Sequence, residues 1–475
     1  MQEKPKVVVS RTRRADSAAR DFAFAESDVR GVATGDSVAS YRTLAWNAFK
    51  RHSLPDTTQE AWRRTDIHQL PTDKFKLSPG DTNDLPAVRE DLLKPLIADQ
   101  HGGQIILTPG EVKVDLDETL ARKGVIFTDL KTAEQKHPDL LAKMIGKTVN
   151  VEEGKFSALA GAFAQNGVVL YVPKGLVVDE PLHSVLWGPG TDLAHVSHIL
   201  VLVDEGASVT YVHESASPDL KGANSMHAGI VEIQVLQNAS LKFVELQSWG
   251  RHVWNFSHER ARVERDANLD WIFGAIGSRL TKNFSELDLA GEGAQGRMSG
   301  FYFTDGTQHL DHDTQQNHLA PHTTSDLLFK GALKGKSRSV WQGMIYVAPG
   351  AQKTDGYQAN RNLVLSDGAR ADSIPGLEIL ADDVRCTHGA TVGKLEQEPL
   401  FYLKSRGIPQ AEAEKKEKER IRRESRRLRK RIKELLATEW LAPHAQAVPP
   451  ALLEDTLNRL SVMELQAEGA RARHP

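Results

Sequence analysis

Over 154–397 the hydrophobic positions fall in short runs rich in Val, Ile, Leu and Phe. Runs such as Val231-Glu232-Ile233-Gln234-Val235 alternate apolar with polar, the period of a strand with one buried face. Small punctuation marks separate the runs: Gly206-Ala207, Asn238-Ala239, Asp266-Ala267, Gly293-Ala294, Gly331-Ala332, Gly350-Ala351 and Gly368-Ala369. Their alanines lie 32, 28, 27, 38, 19 and 18 residues apart. Quasi-regular short strands predict a solenoid of stacked rungs, with loosely spaced, irregular corners. Spacing alone leaves a β-sandwich open.

The flanks read differently. Residues 1–39 are polar and without period, which predicts a flexible tail. Over 40–153 the pattern is mostly helical with short extended pieces. Thr57-Thr58-Gln59-Glu60 has the form of a capping box, and 138–145 reads as a short helix. Over 398–475 helices return: Pro409 suits a helix start, with Glu412 and Glu414 favourable near it. Ile421, Leu428 and Leu435 recur every seven residues with Ile432 between them, a narrow apolar stripe on a charged helix.

A chain of 475 residues exceeds one ordinary core, so two or three domains are expected. No run approaches the roughly 20 apolar residues of a membrane span, and the polar, Arg-rich start lacks a secretory apolar segment. The net charge of −3 hides an asymmetry. Residues 415–433 hold twelve Lys/Arg and three Glu, so the rest of the chain sums to about −12. That acidity argues against wholesale nucleic-acid binding and confines the possibility to 415–433. A single cysteine, Cys386, permits no internal disulfide and fits a reducing cytoplasm.

Two positions beyond that cysteine stands His388. On a strand this spacing puts both side chains on one face. A thiolate beside an imidazole suits iron, zinc or copper. An iron–sulfur cluster takes four ligands, mostly thiolates, so one thiol cannot hold a conventional cluster and further ligands must come from another subunit.

The surrounding residues carry a resemblance. Leu377-Glu378-Ile379, Ala381-Asp382-Asp383-Val384, Cys386-Thr387-His388-Gly389-Ala390-Thr391-Val392-Gly393, Leu400-Phe401-Tyr402-Leu403 and Ser405-Arg406-Gly407 resemble, at family spacing, the C-terminal signature of the SufB/SufD family of iron–sulfur cluster assembly scaffolds. The wording around Ala381–Cys386 and Trp62-Arg63-Arg64-Thr65 is more similar to the SufD branch. The resemblance implies a right-handed parallel β-helix over 154–397, flanked by an N-terminal helical region and C-terminal helices. It also implies a heterodimer with a SufB-like paralogue and docking of a SufC-like ABC ATPase through the C-terminal helices. A transient iron–sulfur cluster or iron would then be shared at the heterodimer interface, with Cys386 and His388 as candidate ligands and no stable cofactor on the isolated chain.

A second candidate metal-binding stretch is His309-Leu310-Asp311-His312-Asp313 with His318 and His322. It lacks an HExxH or facial-triad spacing, so His309 and His312 are secondary candidates and a polar rung or corner is the plainer reading. No GxxxxGK[ST] loop, GxSxG elbow or paired CxxC is present, which points to a scaffold rather than an enzyme with its own nucleotide-hydrolysis motif. The alternatives are a SufB-like homodimeric scaffold and a stand-alone metal-dependent enzyme using 309–322.

Overall fold

Strand after strand pairs in parallel with the strand two before it, so that two ten-stranded sheets run along most of the protein. The structure is a computed structural model, and it describes residues 21–29, 37–77, 87–88, 101–109, 111–164, 166–394, 405–407 and 409. The first part supplies β1 (Lys76–Leu77), β2 (Gly103–Leu107), β3 (Val112–Leu116) and β4 (Ile126–Asp129). Its helices are α1 (Ser37–Arg51), α2 (Glu118–Arg122), α3 (Leu130–Lys136), α4 (Pro138–Met144) and α5 (Lys155–Phe163). Then follow β5 (Asn166–Val172), β6 (Leu182–Trp187), β7 (Leu193–Val203), β8 (Ser208–Ala216), β9 (Ser225–Val235), β10 (Ser240–Ser248), β11 (Val253–Val263) and β12 (Asn268–Ile276). The series ends with β13 (Leu280–Leu289), β14 (Gln295–Thr304), β15 (His309–His318), β16 (Thr324–Leu333), β17 (Arg338–Val347), β18 (Asp355–Val364), β19 (Arg370–Ile379) and β20 (Arg385–Lys394).

From β5 onward the odd strands stack in one sheet and the even strands in the other. The described residues therefore form a parallel β-solenoid of eight two-strand rungs. All-parallel stacking removes the β-sandwich alternative, whose sheets are antiparallel. Registers such as Val263 on Leu289 and Val347 on Ile379 show rungs that differ in length, as the loose punctuation foretold. Gly206, Asn238, Asp266, Gly293 and Gly350 take positive φ at corners, and Ala207, Ala239, Ala267, Ala294 and Ala351 behind them are at most 1% exposed. Each of these alanine N–H groups donates back to the carbonyl three residues earlier. The small residue is what fits inside so tight a bend. Gly331 is different: it lies within β16, where an added Cβ would meet the Tyr302 ring at 2.1 Å.

The two ends of the solenoid are unlike. At the first rung β4 pairs antiparallel with β5, while β2 joins β6 and is itself covered by β3. At the last rung no strand among the described residues pairs with the outer edge of β19 or β20. The N-terminal layer packs on the outer face of the odd sheet. Every residue of α5 is buried, and the Phe156 ring stacks on Phe256 at 3.7 Å between centroids. The layer is pinned by Glu232 of β9, which is 1% exposed and accepts N–H bonds from Gly146 (2.6 Å), Thr148 (2.7 Å) and Val149 (3.2 Å). His198 Nε2 stands 2.9 Å from the same carboxylate.

Two local readings change. Asp21–Val29, within the expected tail, is packed: Phe22 and Val29 are buried, and Asp21 pairs at 2.7 Å with Lys155, whose side chain is fully covered. In place of a capping box at Thr57, Asp56 Oδ1 accepts from Thr58 N–H at 2.8 Å, and a single 3-10 turn follows over Glu60–Trp62. The helix expected at 138–145 is α4. The C-terminal helices and the basic stretch 415–433 lie outside the described residues. Among the described residues no helix is long and apolar enough to cross a membrane.

Candidate functional site

Cys386 and His388 stand on β20, the edge strand of the last rung, opposite Gly356 and Gln358 of β18. The spacing of two puts both on the face that turns toward the solenoid interior. No further rung among the described residues covers them, and Cys386 is half-buried and His388 exposed. Glycine at 356 matters here: a Cβ there would lie 3.2 Å from Cys386 Sγ and 3.4 Å from His318 Nε2. The sulfur and the His318 ring thus face each other across a position with no side chain, at most 6.6 Å apart. Apolar Ile345, Val347 and Ala351 pack around the thiol. That burial pushes its pKa up, a backbone hydrogen bond from Gly356 opposes the shift, and the Asp355 charge adds to it. The thiol is therefore protonated at neutral pH, and metal binding there releases a proton.

The same end carries uncovered apolar side chains. Leu380 is 51% exposed, Val392 49%, Ile379 38% and Leu377 36%. Together with two strand edges that no described strand pairs, they form the surface that most needs covering. The sequence signature contains Leu377, Ile379 and Val392, but nothing in it marks these or Leu380 as exposed.

The histidine-rich stretch becomes β15 and the corner after it, and its side chains do not converge. His309 points outward, where its Nε2 lies 2.8 Å from Thr65 Oγ1. His312 points inward among the rings of Phe273, Tyr302 and Phe329. His318 is an inward neighbour of Thr323 and Ser325. His322, at φ 59°, donates its N–H to Gln352 O and takes the corner position that Gly293 holds one rung earlier. Asp311 and Asp313 are occupied by the fully covered Lys282 ammonium, at 2.9 and 2.8 Å. Thr65 donates to Asp311 as well, so the Trp62–Thr65 motif docks on this strand. Among the described residues no group of three or more His, Cys, Asp or Glu side chains is placed to hold a metal ion. Cys386 with His388 supplies two ligands at most.

Comparison with known proteins agrees with this geometry. A family profile described as "SUF system FeS cluster assembly, SufBD core domain" matches residues 187–416, and one described as "SufBD protein N-terminal region" matches 27–183. The iron–sulfur cluster assembly protein SufB of Bacillus subtilis (strain 168) is 32% identical over 302 residues, which cover 63% of this chain and 64% of that protein. An iron–sulfur cluster assembly SufBD family protein of Staphylococcus aureus (strain USA300) matches with the same identity and coverage. The match therefore spans just under two thirds of the length of these curated relatives. With both profiles matched in sequence along the chain, it belongs to the SufBD family of the Suf iron–sulfur cluster assembly system.

Proposed function

We propose that this chain is a SufD-like scaffold subunit that pairs, through the open end of its solenoid, with a SufB-like paralogue. The observation that carries the reading is the coincidence of three features on one rung: Cys386 and His388, two strand edges unpaired among the described residues, and the exposed Leu377, Ile379, Leu380 and Val392. A partner seated there covers the apolar residues and brings further ligands to the thiol and imidazole. The cluster, or its iron, is the cargo, shared for a time between two subunits and then passed on. This chain contributes one thiol and one imidazole and gives up the Cys386 proton when metal binds.

In this reading a SufC-like ATPase docks through 398–475 and supplies the work that opens the interface, while this chain performs no nucleotide hydrolysis of its own. The complex acts in the cytoplasm. His309 and His312, turned to opposite faces, serve the fold rather than a metal. One finding favours a second reading: the B. subtilis relative is named SufB, which suits a SufB-like homodimer. Two copies would bring two thiols and two imidazoles to the interface.

The test is anaerobic co-expression with the SufB-like and SufC-like proteins of the same source, comparing wild type with Cys386→Ala and His388→Ala. The complex should assemble in all cases, with iron and acid-labile sulfide reduced in both variants. Full cluster content in both variants would remove these residues from the site.

A further inference from the structure

The inward-facing positions of the solenoid are not all apolar. In the first rungs the aliphatic Val168, Leu170, Ile199 and Val201 stand beside the buried polar Ser184, His195, Ser197 and His213. In the sixth and seventh rungs the inward-facing positions include His312, Gln316, Gln358 and Asn360, each 0% exposed. Most polar atoms of this stretch are paired: Gln316 Nε2 donates to Tyr357 O at 3.3 Å, and Gln358 Nε2 donates to Gly376 O at 2.8 Å. Besides Oγ of Ser339, five atoms have no protein partner: both ring nitrogens of His312, Oε1 of Gln316, Oε1 of Gln358 and Nε1 of Trp341. His312 and Trp341 are register neighbours on β15 and β17. Buried polar atoms are almost always paired, so five in two consecutive rungs require an occupant.

Their chemistry selects it. Burial pushes the His312 pKa down to about 3, so its ring is neutral, with one N–H and one lone pair. The set then offers two donors, from His312 and Trp341, and three acceptors, from His312 and the two glutamine oxygens. An anion would face the glutamine oxygens and a cation the indole N–H. A small neutral molecule that both donates and accepts satisfies all five. We propose that the solenoid interior beneath the Cys386 end holds ordered water bound by His312, Gln316, Trp341 and Gln358. The last rungs are therefore wet inside.

Oxygen-17 magnetic relaxation dispersion on the full chain counts long-lived internal waters in wild type, His312→Phe and Gln316→Met. Loss of at least one such water in either variant, with a lower unfolding midpoint, is the expected result. An unchanged count in both overturns the proposal. A dry interior would also raise the His312→Phe midpoint, since an unpaired polar group would have been removed. Should neither variant fold, a crystal structure of the wild type decides. Solvent oxygen within hydrogen-bond distance of His312 or Gln316 supports the proposal, and tightly packed, solvent-free density around both overturns it.

Discussion

Placing a charge on the open end should break the pairing and leave the subunit folded. Leu380 and Val392, at 51% and 49% exposure, each leave about half a side chain to be covered. Full burial of such a side chain is worth about 1.5–3 kcal/mol, so covering the remaining half contributes about 1 kcal/mol apiece. Leu380→Asp or Val392→Asp loses that term and adds the cost of desolvating a carboxylate without a partner. A combined cost of about 2 kcal/mol corresponds to roughly 30-fold weaker association. The free subunit should be indifferent, because exposed substitutions usually change stability by about 0.5 kcal/mol or less. Sedimentation equilibrium of each variant with the paralogue gives the first quantity, and urea unfolding of the isolated chain gives the second. Wild-type affinity in the double variant would place the interface elsewhere and refute the reasoning from exposure.

Two further outcomes concern the fold. Glu232→Gln should destabilise the chain by about 3–5 kcal/mol, because a buried carboxylate that serves three backbone N–H groups and His198 cannot be replaced by an amide that carries donors of its own. A shift below about 1 kcal/mol in urea unfolding would mean the N-terminal layer is held by packing alone. Inside the solenoid, burial raises the pKa of Glu259 from 4.5 to about 7, against hydrogen bonds from Ser257, Ser285 and Asn283. Burial, then the Glu259 charge, raises its neighbour Glu245 further. Folded protein therefore holds protons that unfolded chain releases near pH 4.5, and stability from this pair falls as pH rises from there through 7. The buried His195, His213 and His227, depressed by burial to between about 3 and 4, act in the opposite direction up to about pH 6.5. Comparison with Glu259→Gln isolates the carboxyl contribution: the variant should lose less stability than wild type between pH 6 and 8. Parallel pH profiles would sink the assignment.

Much of the solenoid was legible because its signals are local. A period of two and a small residue at each corner survive in one dimension, and the shared face of Cys386 and His388 follows from spacing alone. What failed was non-local. His309 and His312 sit three apart on a strand, so they face opposite ways, and only the pairing of β15 with its neighbours shows that Lys282 already holds the adjacent aspartates. His322 took a corner position without the usual glycine or alanine, which stretched the apparent spacing to 38 residues. Phe22 and Val29 were hidden in a polar segment because an apolar residue reads as core only where a partner surface exists. The open end was invisible for a similar reason: exposure of Leu380 and Val392 depends on a ninth rung that the chain does not add among the described residues.

The most direct test is the anaerobic iron and acid-labile sulfide content of this chain alone, of its complex with the paralogue, and of that complex carrying Cys386→Ser. The chain alone should carry no cluster, the complex should carry one, and the Cys386→Ser complex should assemble with its cluster lost. A full cluster on the isolated chain, or one in the complex that survives Cys386→Ser, would contradict a shared site at the open end.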